Sequence, residues 1–200
     1  MNTQRRSLIA TASALPALAW LNAWAQPGSD DRLVLSSFVD GANFVVPGGG
    51  WRGFSDRVMG GISNAQLAST RVAGKDCIRL TGNVTRENNG GFIQMALYFG
   101  RNYAEFDASG SKGIELLTYG NNEDYNVHVR TSDCGWHDDS YRTTFFARPE
   151  WQRIRIPWSE FLPNNVREPL DNSRLQRIGI LGWMREFDAD LALAEIALYS

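Results

Sequence analysis

Reactive side chains are scarce in this chain. Of its 200 residues only His128 and His137 are histidines, and only Cys77 and Cys134 are cysteines. Two histidines leave little room for a Ser-His-Asp or metal-histidine scheme, and GxSxG, HExxH and CxxC are all missing. His137 is followed by Asp138, Asp139 and Ser140, but neighbours along one loop rarely converge into a triad. Acids such as Asp56, Glu87 and Glu115 could serve glycoside hydrolysis, yet no spacing selects a facing pair. No catalytic residue, cofactor site or metal site is therefore expected.

Helical periodicity is almost missing too. Only 158–162 and 170–174 read as single helical turns, and no repeat of fixed period is present. Apart from the first 25 residues, no segment is apolar enough to span a bilayer. Those residues have a polar start with Arg5 and Arg6, an apolar run from Leu8 to Trp20, and Ala23-Trp24-Ala25 as a small-x-small cleavage site. That layout predicts a secretory signal peptide over 1–25, of twin-arginine type, followed by a short polar leader at 26–31. The expected location is the bacterial periplasm. Removal of the signal leaves eighteen basic against twenty-two acidic residues, and a net charge of about −4 argues against a nucleic-acid surface. In an oxidising compartment Cys77 and Cys134 could pair, and two separate thiols is the competing reading.

What the chain does have is strand patterning. At 124–131 Tyr125, Val127 and Val129 alternate with Asn126, His128 and Arg130, and at 92–99 Ile93, Met95, Leu97 and Phe99 share one face. Shorter runs occur at 32–39, 77–81, 114–119, 141–146, 151–156, 175–181 and 191–199. Period-two alternation bounded by Gly, Asn, Asp and Pro predicts half-buried antiparallel strands, hence a single all-β domain over 32–200. The string Gly48-Gly49-Gly50-Trp51-Arg52-Gly53 fits GxGxxG by letter. With a strand-like segment after it and no βαβ unit around it, it reads as a loop. Glu186, Asp188 and Asp190 read as a solvated turn before the last strand, with a structural calcium as the alternative.

Two segments carry a family resemblance. They are Trp51-Arg52-Gly53-Phe54-Ser55-Asp56-Arg57-Val58-Met59-Gly60-Gly61-Ile62-Ser63 and Asn88-Asn89-Gly90-Gly91-Phe92-Ile93-Gln94-Met95. Together they resemble the complex I intermediate-associated protein 30 family, with looser similarity at 125–131, 151–157 leading to Phe161, and Ile178-Gly179-Ile180. The resemblance implies a galactose-binding-like, jelly-roll β-sandwich. It also implies a non-catalytic assembly factor acting by protein contact, although an export signal departs from that pattern. Within the matched segments the expected roles are structural. Gly60, Gly61, Gly90 and Gly91 would serve backbone geometry, Ser55 and Asp56 a turn, and Trp51 and Met59 packing.

A candidate ligand or partner face is formed by Asn126, His128 and Arg130, joined by Arg142 if 140–147 pairs as a hairpin. The connecting loop adds Trp136 and His137. An aromatic beside planar hydrogen-bonding groups suits a sugar ring, a protein interface, or an ordinary solvated face. The sequence thus points to an exported binding domain acting by protein contact on an envelope complex, or else to a periplasmic carbohydrate-binding module.

Overall fold

The computed structural model describes residues 32–38, 43–44 and 49–200. The expected signal peptide and leader, Val39 and Gly48 lie outside the described residues. The described strands are β1 (Arg32–Ser37), β2 (Asn43–Phe44), β3 (Gly50–Ser55), β4 (Gln66–Val72), β5 (Lys75–Val84), β6 (Phe92–Tyr98) and β7 (Gly113–Tyr119). They continue with β8 (Glu123–Thr131), β9 (Ser140–Ala147), β10 (Gln152–Pro157), β11 (Leu162–Asn164), β12 (Leu175–Trp183) and β13 (Phe187–Tyr199). Among the described residues helix is limited to single 3-10 turns, two of them at Trp158–Glu160 and Asn172–Arg174, within the spans expected to turn once. No helix among the described residues is long and apolar enough to cross a membrane.

The strands form two antiparallel sheets, a jelly-roll sandwich. The first runs β10-β7-β13-β1-β2, with β5 also paired to β13 and β4 paired to β5. The second runs β11-β9-β8-β12-β6-β3. Alternation decides what each strand buries. Tyr125, Val127 and Val129 of β8, Ile93, Met95 and Leu97 of β6, and Ile178 and Ile180 of β12 point inward, onto Leu191, Leu193, Ile196 and Leu198 of β13. Tyr125 is buried with its hydroxyl satisfied: it donates to Asn121 Oδ1 at 2.7 Å and accepts from the Asp190 amide at 2.8 Å.

Bulges reset that alternation. On β12 the register shifts between Leu175 and Arg177, so Leu175 and Ile178, three apart, both enter the core. Arg177, Gly179, Leu181 and Trp183 are thereby turned to the outer face of the second sheet. A matching shift between Leu193 and Glu195 keeps Leu193 and Ile196 inside on β13.

Two sequence readings change here. Cys77 and Cys134 are free thiols. Cys77 sits on the outer face of the first sheet with Leu117, Ala192 and Ala194, whereas Cys134 joins the core between the sheets. The first sheet separates the two sulfurs, so they cannot bridge. The acidic residues read as a solvated turn, with a calcium loop as the alternative, are for the most part strand. Asp188 and Asp190 lie within β13, where Asp190 takes a two-pronged contact from Arg79 (2.7 and 2.5 Å) and Asp188 accepts from Asn83 at 3.1 Å. No cluster of three or more metal-ligating side chains occurs among the described residues.

Candidate ligand-binding site

A cleft of about 320 Å³ crosses the outer face of the second sheet. Register builds its floor: Arg142 of β9 lies opposite His128 of β8, His128 opposite Gly179 of β12, and Gly179 opposite Ala96 of β6. One step along, Gln94 faces Leu181, and beyond that Phe92 faces Trp183. Two small residues at the centre leave room for the Gln94 side chain. A Cβ on Gly179 would stand 1.8 Å from Gln94 Nε2, so glycine is needed for that amide to lie across the strand.

Aromatic side chains line one end. Phe92 packs edge-on to Phe54 and tilted against Trp183, with ring centroids 6.1 and 5.9 Å apart. His128 meets Trp183 edge-on at 4.9 Å, and the Arg142 guanidinium lies 4.8 Å from the Trp183 ring centre. Two loops make the walls. One is the 3-10 turn Asp56–Met59, which presents Val58 and Met59, 72% and 54% exposed. The other is the loop after β8, which brings His137, Asp138 and Asp139.

The first wall is built around Asp56. Its carboxylate is fully buried and accepts from the Ser63 amide (2.9 Å), the Ser63 hydroxyl (2.5 Å) and the Gly91 and Phe92 amides (2.7 and 3.2 Å). Burial pushes its pKa up, and those hydrogen bonds outweigh burial and hold it below the usual carboxylate value. The carboxylate also fills the space that side chains would need at Gly61 and Gly90, where a Cβ would lie 2.4 and 2.5 Å from it. Gly60 closes the turn in left-handed backbone, at φ 94°. The two family segments therefore meet at one buried acid, which ties the Val58–Met59 turn to the start of β6. Trp51 faces inward and donates to Ser36 Oγ at 3.0 Å.

The second wall hangs on Arg130. Its guanidinium donates to the carbonyls of Cys134 (3.1 Å), Trp136 (2.8 Å), His137 (3.1 Å) and Asp139. Arg130 is thus a brace for the loop rather than a group free to meet a ligand. Asp139 accepts from the Trp136 amide (2.7 Å) and Asp138 from Asn165 Nδ2 (2.7 Å), and neither accepts from His137.

Of the residues expected to form the face, His128, His137 and Arg142 line the cleft. Asn126 instead donates to Thr144 Oγ1 at 2.8 Å, and Trp136, 75% exposed, stands outside the lining. His128 is not a solvated face residue, being only 5% exposed. Burial, with Arg142 and Arg177 nearby, pushes its pKa down to about 3, so the ring is neutral at ordinary pH. Residues beyond the expected set matter as much: Phe54, Gln94, Arg177 and Trp183. Outward positions on β6 and β12 were the available signal, but the β12 bulge hid the phase.

The cleft holds unmet hydrogen-bonding capacity. Gln94 Nε2, His128 Nε2 and Arg177 Nε are buried without partners, and Gln94 is only 3% exposed. Buried polar atoms normally have partners, so three orphans along one cleft mark a place where something else supplies them.

Two antiparallel sheets, with a polar and aromatic cleft across one outer face, make this a jelly-roll β-sandwich domain. The chain belongs to the Complex I intermediate-associated protein 30 family, whose model matches residues 46–192. In fold it is similar to a family 11 carbohydrate-binding module of a Clostridium thermocellum cellulosomal cellulase, at 14% identity and a TM-score of 0.64, covering 86% of this chain and 96% of that one. The Clostridium thermocellum family 11 module solved in complex with a β-1,3-1,4-mixed-linked tetrasaccharide gives 13%, 0.63, 84% and 95%. A family 30 module from the same organism gives 14%, 0.57, 84% and 97%. At such identities the likeness is one of fold. No curated protein matches the chain in sequence.

Proposed function

We propose that this domain is a saccharide-binding module, exported by its N-terminal signal, that holds a sugar in the cleft of the second sheet. The observation that carries this reading is the pair of buried, unpartnered side-chain nitrogens, Gln94 Nε2 and His128 Nε2, beside the Trp183 ring. A sugar ring offers an apolar face to an indole and hydroxyls to planar amide and imidazole groups. The cleft is also of the size that small-ligand sites take, from about 300 Å³ upward. A similar fold in the family 11 module was solved with a tetrasaccharide, which supports the same use of the scaffold here.

Trp183→Ala should lower affinity for a bound oligosaccharide at least ~10-fold in calorimetric titration, since it removes the aromatic wall. Trp136→Ala should leave affinity unchanged, because that ring lies outside the lining. Equal losses in both variants would count against the cleft.

One observation favours a second reading, protein contact in envelope assembly. Val58, Met59 and Met184 expose apolar side chains on the same cleft. The orphaned nitrogens favour the saccharide, because an apolar partner would leave them unpaired.

A further inference from the structure

The lining of the cleft has a charge character that a neutral sugar does not use. Arg177 and Arg142 both line it, and neither forms an ion pair with a carboxylate among the described residues. Arg142 spends its donors on Ser140 Oγ at 2.7 Å and the Asp138 carbonyl at 2.8 Å, both neutral acceptors. Arg177 donates only to Tyr98 Oη at 3.2 Å, and its Nε is buried with no partner. The two acids of the rim, Asp138 and Asp139, hold Asn165 and the Trp136 amide.

Donor and acceptor accounting sharpens this. A guanidinium Nε–H and an amide NH₂ can only donate. So two of the three orphans, Arg177 Nε and Gln94 Nε2, require acceptor atoms from outside the chain. Register sets Gln94 two residues from Ala96 on β6, and Arg177 two residues from Gly179 on β12. Ala96 and Gly179 are opposite each other, so the two donors stem from opposite sides of that row, with the Gln94 amide lying across Gly179. The imidazole of His128, opposite Gly179, is held neutral chiefly by burial, and the same two arginines push in the same direction.

Resting on the saccharide reading, we infer that the sugar is an acidic one, whose carboxylate lies against the Gln94 amide and is bound by Arg177 and Gln94, with Arg142 adding charge from the β9 side. A carboxylate supplies the two planar acceptor oxygens that these donors lack, and charge-assisted hydrogen bonds of this kind are about twice as strong as neutral ones. A neutral sugar would leave the Arg177 guanidinium answered only by the Tyr98 hydroxyl and the Tyr98 and Phe54 rings.

The test is calorimetric titration of the purified protein with uronate tetramers (galacturonate, glucuronate and mannuronate). Each is paired with the same tetramer after reduction of its carboxyls to primary alcohols. The inference expects at least one acidic tetramer to bind ~10-fold or more tighter than its reduced counterpart. That margin should shrink as salt is raised. In Arg177→Met it should vanish while binding of the reduced form stays, and Arg142→Met, which spares the orphaned Nε, should reduce it only in part. If the reduced tetramers bind as well as the acidic ones, the acidic-sugar inference falls and the saccharide reading stands. If neither form of any tetramer binds, both fall.

Discussion

At Asp56 a fully buried carboxylate meets four hydrogen-bond donors and no cation. Asparagine has nearly the same shape but would turn an NH₂ toward amide and hydroxyl donors. Asp56→Asn should therefore cost about 2–4 kcal/mol at neutral pH, read as a lowered midpoint in denaturant. The pH dependence follows from the direction of the shift. The folded carboxyl titrates below its unfolded value, so its contribution is complete above the ordinary carboxylate range and is lost as pH falls through that range toward the folded pKa. Stability of the natural protein should fall over that acid window by more than stability of the Asn variant. Parallel curves would show that Asp56 is not the hub described. The composition of this corner was legible from its residue types, since the glycines, Ser55 and Asp56 read as turn chemistry. That all of them serve one carboxylate was not, because Asp56 and Gly91 lie 35 residues apart and only the tertiary fold joins them.

Elements differ in how plainly their residues announce them. β8 and β6 alternate cleanly because one face of each is core, and both stand where the pattern puts them. β4 has no such signature: it is an edge strand paired only with β5, and most of its residues are exposed. β12 reads as a strand, but its bulge shifts the phase by one residue and moves Arg177 and Trp183 to the ligand face. The loop at 132–139 is the clearest case of a role that changes with structure. Arg130 reads as a ligand group on the polar side of β8, yet it is surrounded by the carbonyls of its own following loop. Arg130→Met should free that loop. Amide hydrogen exchange at Trp136 and Asp139 should rise by ~10-fold or more, while amides of Val127 and Ile180 keep their protection. Unchanged exchange in the loop would mean that the four carbonyl contacts do not hold it.

On the scale of the whole molecule the two sheets have different outer faces. The first sheet carries a closed ion network, in which Glu115 and Glu195 are shared among Arg32, Arg153 and Arg155 at 2.5–2.9 Å. Its charges answer one another. The second sheet carries Arg142 and Arg177 without ion pairs and three buried nitrogens without partners, and the family-motif turn and the Arg130-braced loop wall them in. The single all-β domain was legible from strand spacing and alternation, and the jelly roll from the family resemblance. The site was legible only in part, through His128, His137 and Arg142, because a cleft is made of neighbours across strands and alternation along one strand cannot name them. The separation of Cys77 from Cys134 by a sheet is a fact of the same kind. The most direct measurement is a ¹⁵N-resolved NMR titration of the protein with a binding oligosaccharide. The account predicts that the Gln94 side-chain amide, the Gly179 amide and the Trp183 indole N–H shift together and saturate with one affinity. Shifts confined to Trp136 or to the Glu115 face, with Gln94 and Gly179 unmoved, would contradict it.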